Sequence, residues 1–374
     1  MPAVQLSLRL GPVPVPAPQA LVEALTEVKV ECGAGDTPSG FELVFELPAH
    51  SPLRTVFLLT GGGGVLPLMR VVLVVSLGGQ AQPLIDGVAT HVQTRPGEGG
   101  VSQVVVQGTD LTALMRLIEF NGLPYPAMPP AARVLLVLAK YAALGVLPKV
   151  IPSIVEDVPL PVQRIPQQRG HDYDYLQRLA RQAGYVFYLE PGPTPGSSWA
   201  YWGPELRVGT PQPALNVDMD GLTNVEQLSF RFDKANKAMP VVYFQEPNSK
   251  VPIGLPIPDV SPLNPPLGLV PPLPVRLTQL TDTANLSPLT ALMTGLAYAG
   301  QHSDSVFGEG QIDVARYGRV LKSRQLVGVR GAGLAFNGLY YVKSVTHQIK
   351  RGDYKQRFSL ARNALVSTVP NVPA

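Results

Sequence analysis

A chain of 374 residues outgrows one ordinary hydrophobic core and is long enough for two or three domains. Only 15% of it is charged against 45% hydrophobic, which predicts surface buried against other subunits, and 30 basic with 27 acidic side chains, without a Lys/Arg cluster, leave no footprint for nucleic acid. The single cysteine, Cys32, rules out an internal disulfide and suits assembly in a reducing, cytoplasmic compartment.

Residues 1–18 have no basic stretch ahead of an apolar core and are broken by Pro12, Pro14, Pro16 and Pro18, so they do not read as a signal peptide. Neither strongly apolar window can span a membrane, because Gly61, Gly62, Gly63, Gly64 and Arg70 interrupt the first and Arg133 and Lys140 the second. Short β-branched runs bounded by Gly and Pro predict strands at 4–10, 28–31, 41–47, 71–76 and 101–107. A short helix over 111–120 follows, with Asp110 as its N-cap. The Ala, Leu and Val mixture of 131–147 predicts a helix stopped by Gly145 and Pro148. A better marked helix begins at Asp172 and Asp174, places Tyr175, Leu176, Leu179, Ala180 and Ala183 on one face, and ends at Gly184, which suits a left-handed cap. A strand at 185–189 leads away from it.

Strands at 226–232 and 240–244 come next, and in the first of them Leu228, Phe230 and Phe232 alternate with Ser229 and Arg231, so that one face is buried. Prolines recur through 247–274 with almost no charge, predicting an extended, polyproline-like surface loop or arm. Ser287 is placed to cap a helix running to about 301. The last pair is the most regular: a strand over 339–349, a turn over 350–353 and a strand over 354–360, in which Tyr354, Phe358 and Leu360 alternate with Lys355, Arg357 and Ser359. The whole is mainly β, of the α+β kind. Two β-domains, 1–120 and 206–374, flank a helix-containing α/β region, 121–205, and the order is not that of successive βαβ units.

Chemistry-bearing patterns are sparse. His50, His91, His171, His302 and His347 are scattered, with no pair at metal-ligand spacing. His171-Asp172-Tyr173-Asp174 falls where a helix begins, and its acids are read as satisfying exposed amides and the helix dipole. The glycines at 61–64 are followed by Val65-Leu66-Pro67, not the Lys and Ser/Thr of a phosphate loop, and those of 328–333 precede a strand and read as a turn. No GxSxG nucleophile motif occurs. Asp218 with Asp220, and Glu156 with Asp157, fall in expected turns, as does Arg351-Gly352-Asp353 at the hairpin tip. Trp199, Tyr201 and Trp202 read first as a strand edge in the core. No catalytic, cofactor-binding or metal residue is therefore assigned, and the chain reads as non-enzymatic.

Three segments resemble the late-control D, or baseplate hub, family of contractile phage tails and related injection systems. They are GLYYVKSVTHQIKRGDYKQRFSLARNAL from Gly338, HDYDYLQRLARQAGYVFYLEPG from His171, and LIDGVATHVQ from Leu84 followed by VVVQGTDLTALM from Val104. The resemblance implies two related tube-type β-barrels per chain and a homotrimer forming a pseudo-sixfold ring. That ring would join a sixfold tail tube protein to a threefold spike in a particle baseplate, beside other baseplate subunits. Because VgrG-like fused members continue into a further barrel and a β-helix, whereas this sequence stops at Ala374, the spike is expected to be a separate VgrG-like polypeptide. Tyr341, Val345, Tyr354, Phe358 and Leu360 would form the hairpin that closes the second barrel. The competing expectations are a tail-borne cell-wall hydrolase with dispersed carboxylates, and a carbohydrate- or receptor-binding module using Trp199, Tyr201 and Trp202.

Overall fold

A computed structural model describes residues 4–35, 37–48, 51, 53, 69–96, 101–153, 165–245, 252–258, 264–280, 288–369 and 372. His50, the glycines at 61–64, Glu156, Asp157, Ser287 and parts of the proline-rich run lie outside them. The chain is mainly β, as its patterning predicts.

The first seven strands are β1 (Val4–Leu10), β2 (Val15–Pro16), β3 (Leu25–Gly33), β4 (Gly40–Pro48), β5 (Arg70–Leu77), β6 (Gln80–Pro96) and β7 (Val101–Asp110). They lie antiparallel in the order β3-β4-β7-β6-β5-β1-β2. Inward Leu8, Val28, Val30, Leu43, Phe45, Leu73, Val104 and Val106 build their core. The 17-residue β6 is recognisable by the family resemblance but not by alternation, because Leu84 and Thr90 are extra residues relative to the neighbouring strands. Each such bulge reverses the phase of the side chains, and the first lets Pro83 sit inside a sheet.

Asp110 caps as expected: its carboxylate accepts from Thr112 N at 3.0 Å. The segment it caps is a 3₁₀ turn, Leu111–Arg116, and not a helix to 120. Phe120 already belongs to β8 (Glu119–Pro124), drawn into register by β10 (Gln167–His171). The helix expected over 131–147 is likewise shorter, Pro130–Ala139. After it, Gly145 takes a left-handed φ of 77° so that β9 (Val146–Val150) can run parallel to β12 (Ser198–Gly203), and a Cβ there would lie 2.3 Å from Gly196 O. With β11 (Val186–Pro191) these make a sheet ordered β11-β12-β9, packed against the helices Pro130–Ala139 and Asp172–Ala183. Gly184 ends the latter helix at φ 72°, as its sequence predicts.

The remaining strands are β13 (Gln212–Asn216), β14 (Gln227–Phe232), β15 (Ala238–Gln245), β16 (Pro252–Pro256), β17 (Gly268–Val270), β18 (Arg276–Leu280), β19 (Val306–Asp313), β20 (Leu326–Arg330), β21 (Gly338–Lys350), β22 (Asp353–Arg362) and β23 (Leu365–Ser367). Described parts of the proline-rich run form paired strands, not a polyproline arm. β16 and β18 flank β15, and β17 pairs with β23. Pro252 and Pro256 are tolerated because β16 is an edge, where a missing N–H breaks no ladder. The helix Pro288–Gln301 covers one face of the β15 sheet through Ala291, Leu292, Leu296 and Ala299. Strands β14-β19-β22-β21 form a second antiparallel array, and β21 also pairs with β3 over Ser344–Lys350, fusing both arrays into one 13-stranded sheet.

Candidate assembly site

The closing hairpin holds the two arrays together. Val345, Phe358 and Leu360, all within 3% exposure, pack in the core of the second array with Ile312, Tyr340 and Val342. Further toward the tip, Ile349 and Tyr354 enter the core of the first array beside Val28 and Leu43. Tyr341 is on the opposite face of the sheet, with Leu267 and Leu326. Even spacing from Val345 would put it on the same side, but an extra residue between Val342 and Ser344 reverses the alternation. The tip is a tight turn with Gly352 at φ 77°, which accounts for Arg351-Gly352-Asp353.

A polar cluster lies on the buried face of this hairpin, at Gln356 and His347, which alternation alone marks as core positions but composition does not. Gln356 accepts from Leu321 N and donates to Leu321 O, both at 2.9 Å. His347 Nδ1 meets the Tyr354 hydroxyl at 2.8 Å and Gln356 Nε2 at 3.3 Å. Burial pushes the His347 imidazole down to about 4 and the Tyr354 hydroxyl well above its ordinary range.

Three ion pairs, each with a buried carboxylate, were passed over in the sequence. Arg70 makes a two-point contact with Asp86, at 2.8 and 2.6 Å, and its Nη2 also donates to Leu144 O and Gly196 O, fastening β5 and β6 to the middle region. Burial raises the Asp86 carboxyl despite the guanidinium beside it. Asp172, expected to serve the helix terminus, is instead buried and accepts from Lys140 Nζ at 2.8 Å, Tyr141 OH at 2.7 Å and Gln168 Nε2 at 2.6 Å. The N-cap residue His171 makes no side-chain capping bond, and Asp174 lies 3.1 Å from its ring. Arg207 pairs with Asp304, which also holds Lys343 at 3.2 Å. Burial alone would lower the Arg207 guanidinium, and the Asp304 carboxylate outweighs it and pushes it up. The available signal was an isolated charge in an apolar run, such as Arg70 before Val71-Val72-Leu73 or Asp86 after Leu84-Ile85.

Tyr201 and Trp202 are buried on β12, the central strand of its sheet and not an edge, with only Trp199 half-buried. They cannot serve as an exposed carbohydrate platform. Asp218 and Asp220 are exposed at left-handed positions, φ 48° each, in a turn. Among the described residues no group of three His, Cys, Asp or Glu is disposed to hold a metal ion, and no helix is long and apolar enough to cross a membrane. Cys32 is half-buried, and burial pushes its thiol pKa up.

Exposed apolar side chains concentrate in the proline-rich region: Leu269, Val270, Leu273 at 84%, Val275 and Leu277 at 69%, with Ile253 and Leu255 on β16. Leu135 and Leu136 project from the helix Pro130–Ala139.

No protein-family model and no curated protein matches this sequence. The fold does match solved structures. The tail protein from Neisseria meningitidis MC58 is 13% identical, with a TM-score of 0.61 over 96% of this chain and 97% of that one. The 43 kDa tail protein of prophage MuSo2 from Shewanella oneidensis is 14% identical, with a TM-score of 0.63 over 97% of this chain and 100% of its own. The chain has the phage tail-protein fold. That tail-protein fold also extends to the E. coli c3393 protein, a type VI secretion component similar in structure to the T4 bacteriophage tail proteins gp27 and gp5. It is 11% identical, with a TM-score of 0.54 over 92% of this chain and 76% of that one.

Proposed function

We propose that this protein is a structural, non-enzymatic hub of a contractile phage-tail-like particle. In this reading the segments 1–120 and 206–374 are two related barrels, three chains form a ring of six, and the ring joins a sixfold tail tube to a threefold spike. The observation that carries it is the likeness to two tail proteins over almost the full length of both partners. The likeness to c3393, a type VI secretion component similar to phage tail proteins, supports a place in a particle of this kind. Subunit burial is supported by the charge-poor composition and by the exposed apolar residues of 253–277.

The test is light scattering of the purified full chain over a hundredfold concentration range, with negative-stain imaging of the same sample. A mass near three times 40.0 kDa and threefold rings are expected. A monomer at every concentration sinks the proposal.

A further inference from the structure

The turn between β5 and β6 on one side, and residues 210–213 and 317–325 on the other, enclose an open cleft of about 530 Å³ between the two arrays. Among the described residues no Asp or Glu lines it. Arg319 and Lys322 do, both exposed, and among the described residues neither meets a carboxylate. Gln80, Gln82 and Gln325 also line it, and among the described residues none of their side-chain amides has a hydrogen-bond partner. The floor is fixed in advance. Gln212 Nε2 donates to Lys322 O at 2.9 Å while its Oε1 accepts from Lys322 N at 2.8 Å, and the Tyr317 hydroxyl donates to Pro213 O at 2.6 Å.

We propose that this cleft binds an extended acidic peptide segment of a partner protein. Two unpaired cations with no competing carboxylate supply charge complementarity, and a guanidinium matches a carboxylate in a two-point fork. The glutamines choose the class of ligand. A primary amide both donates and accepts, so it pairs with the alternating N–H and C=O groups of an extended backbone, which a simple anion does not offer. Tyr317, the aromatic residue at the cleft, is buried, leaving no ring on which a nucleobase could stack.

The experiment uses the full chain and fluorescence anisotropy of a labelled peptide of alternating Glu and Ser, with alternating Lys and Ser as its counterpart. Saturable, salt-sensitive binding of the acidic peptide is expected, weakened at least about tenfold in the double variant Arg319→Ala, Lys322→Ala. Arg357→Ala, an exposed arginine on β22 outside the cleft, should leave it unchanged. Unaltered urea midpoints would show that the variants fold. The double variant Gln80→Ala, Gln325→Ala should weaken the peptide while leaving competition by inorganic phosphate as it was. The proposal is overturned by equal binding of both peptides, by full affinity in the Arg319 and Lys322 variant, or by phosphate or a single-stranded oligonucleotide binding as tightly as the peptide. Because it is read on the isolated chain, this result is independent of whether the chain forms rings.

Discussion

His347 gives the fold a calculable weakness toward acid. Gln356 is oriented by Leu321, whose N–H demands its oxygen and whose carbonyl demands its nitrogen, so Gln356 can present only an N–H to His347. The Tyr354 hydroxyl, kept protonated by burial, donates to the same Nδ1. That nitrogen must therefore be the unprotonated one, and forming the imidazolium would set an N–H against the fixed Gln356 amide and force the Tyr354 hydroxyl to turn, in a site where His347 is 4% exposed. Its pKa is lowered from 6.5 to about 4, so below 6.5 the unfolded chain binds a proton that the folded chain refuses. Stability from this group is thus whole at neutral pH and is lost as pH falls from 6.5 toward 4. Integrating that difference gives a loss of about 2 kcal/mol between pH 7 and pH 5. Urea unfolding of wild type and His347→Asn at several pH values measures it. The variant will be less stable at pH 7, and its pH slope should be shallower by that amount. Parallel slopes, or an imidazole titrating near 6.5 by NMR, would refute the reasoning.

Two further perturbations test the hairpin and the ion pairs. Phe358→Ala should cost about 3–5 kcal/mol and Phe358→Asp should yield no folded protein, because the ring is buried in the second core. Lys355→Ala, on the opposite face with Glu226 at 2.9 Å, should leave the urea midpoint where it was. Arg207→Met leaves Asp304, 1% exposed, with the half-exposed Lys343 as its one remaining cation among the described residues, and should cost about 3 kcal/mol. Adding Asp304→Leu should restore more than half of that loss, and a double variant no better than the single one would show that the pair is not what holds this junction.

Strands marked by apolar, β-branched runs between turn residues were legible in the sequence: β1, β4, β5 and the tip-side part of the β21–β22 hairpin follow directly from such runs. Alternation failed where a bulge reset it, in β6 and beside Tyr341. Helix propensity failed where tertiary pairing outbid it, since the Ala- and Leu-rich 140–147 gives way to a left-handed Gly145 and a parallel strand. Trp202 and Tyr201 were rightly placed inside, but local sequence carries no information on which strand of a sheet is central. In the hairpin, Tyr341, Val345, Tyr354, Phe358 and Leu360 lie on the two strands where the sequence pattern puts them. Their division between two cores and an opposite face could not be read from that pattern, because it depends on strands hundreds of residues away.

That division bears on how the chain is made. The first array lacks Ile349 and Tyr354 until the hairpin arrives, and Arg351 at its tip bonds to the carbonyl of Glu23, 328 residues earlier. A nascent chain carrying every strand from β1 to β7 therefore still has an open flank along β3, and nearly the whole message must be translated before it closes. Such long-range closure slows folding, and an unpaired strand edge invites pairing with other chains meanwhile. The exposed edge of β3 is thus where a chaperone, or a premature encounter between two nascent copies, would act first.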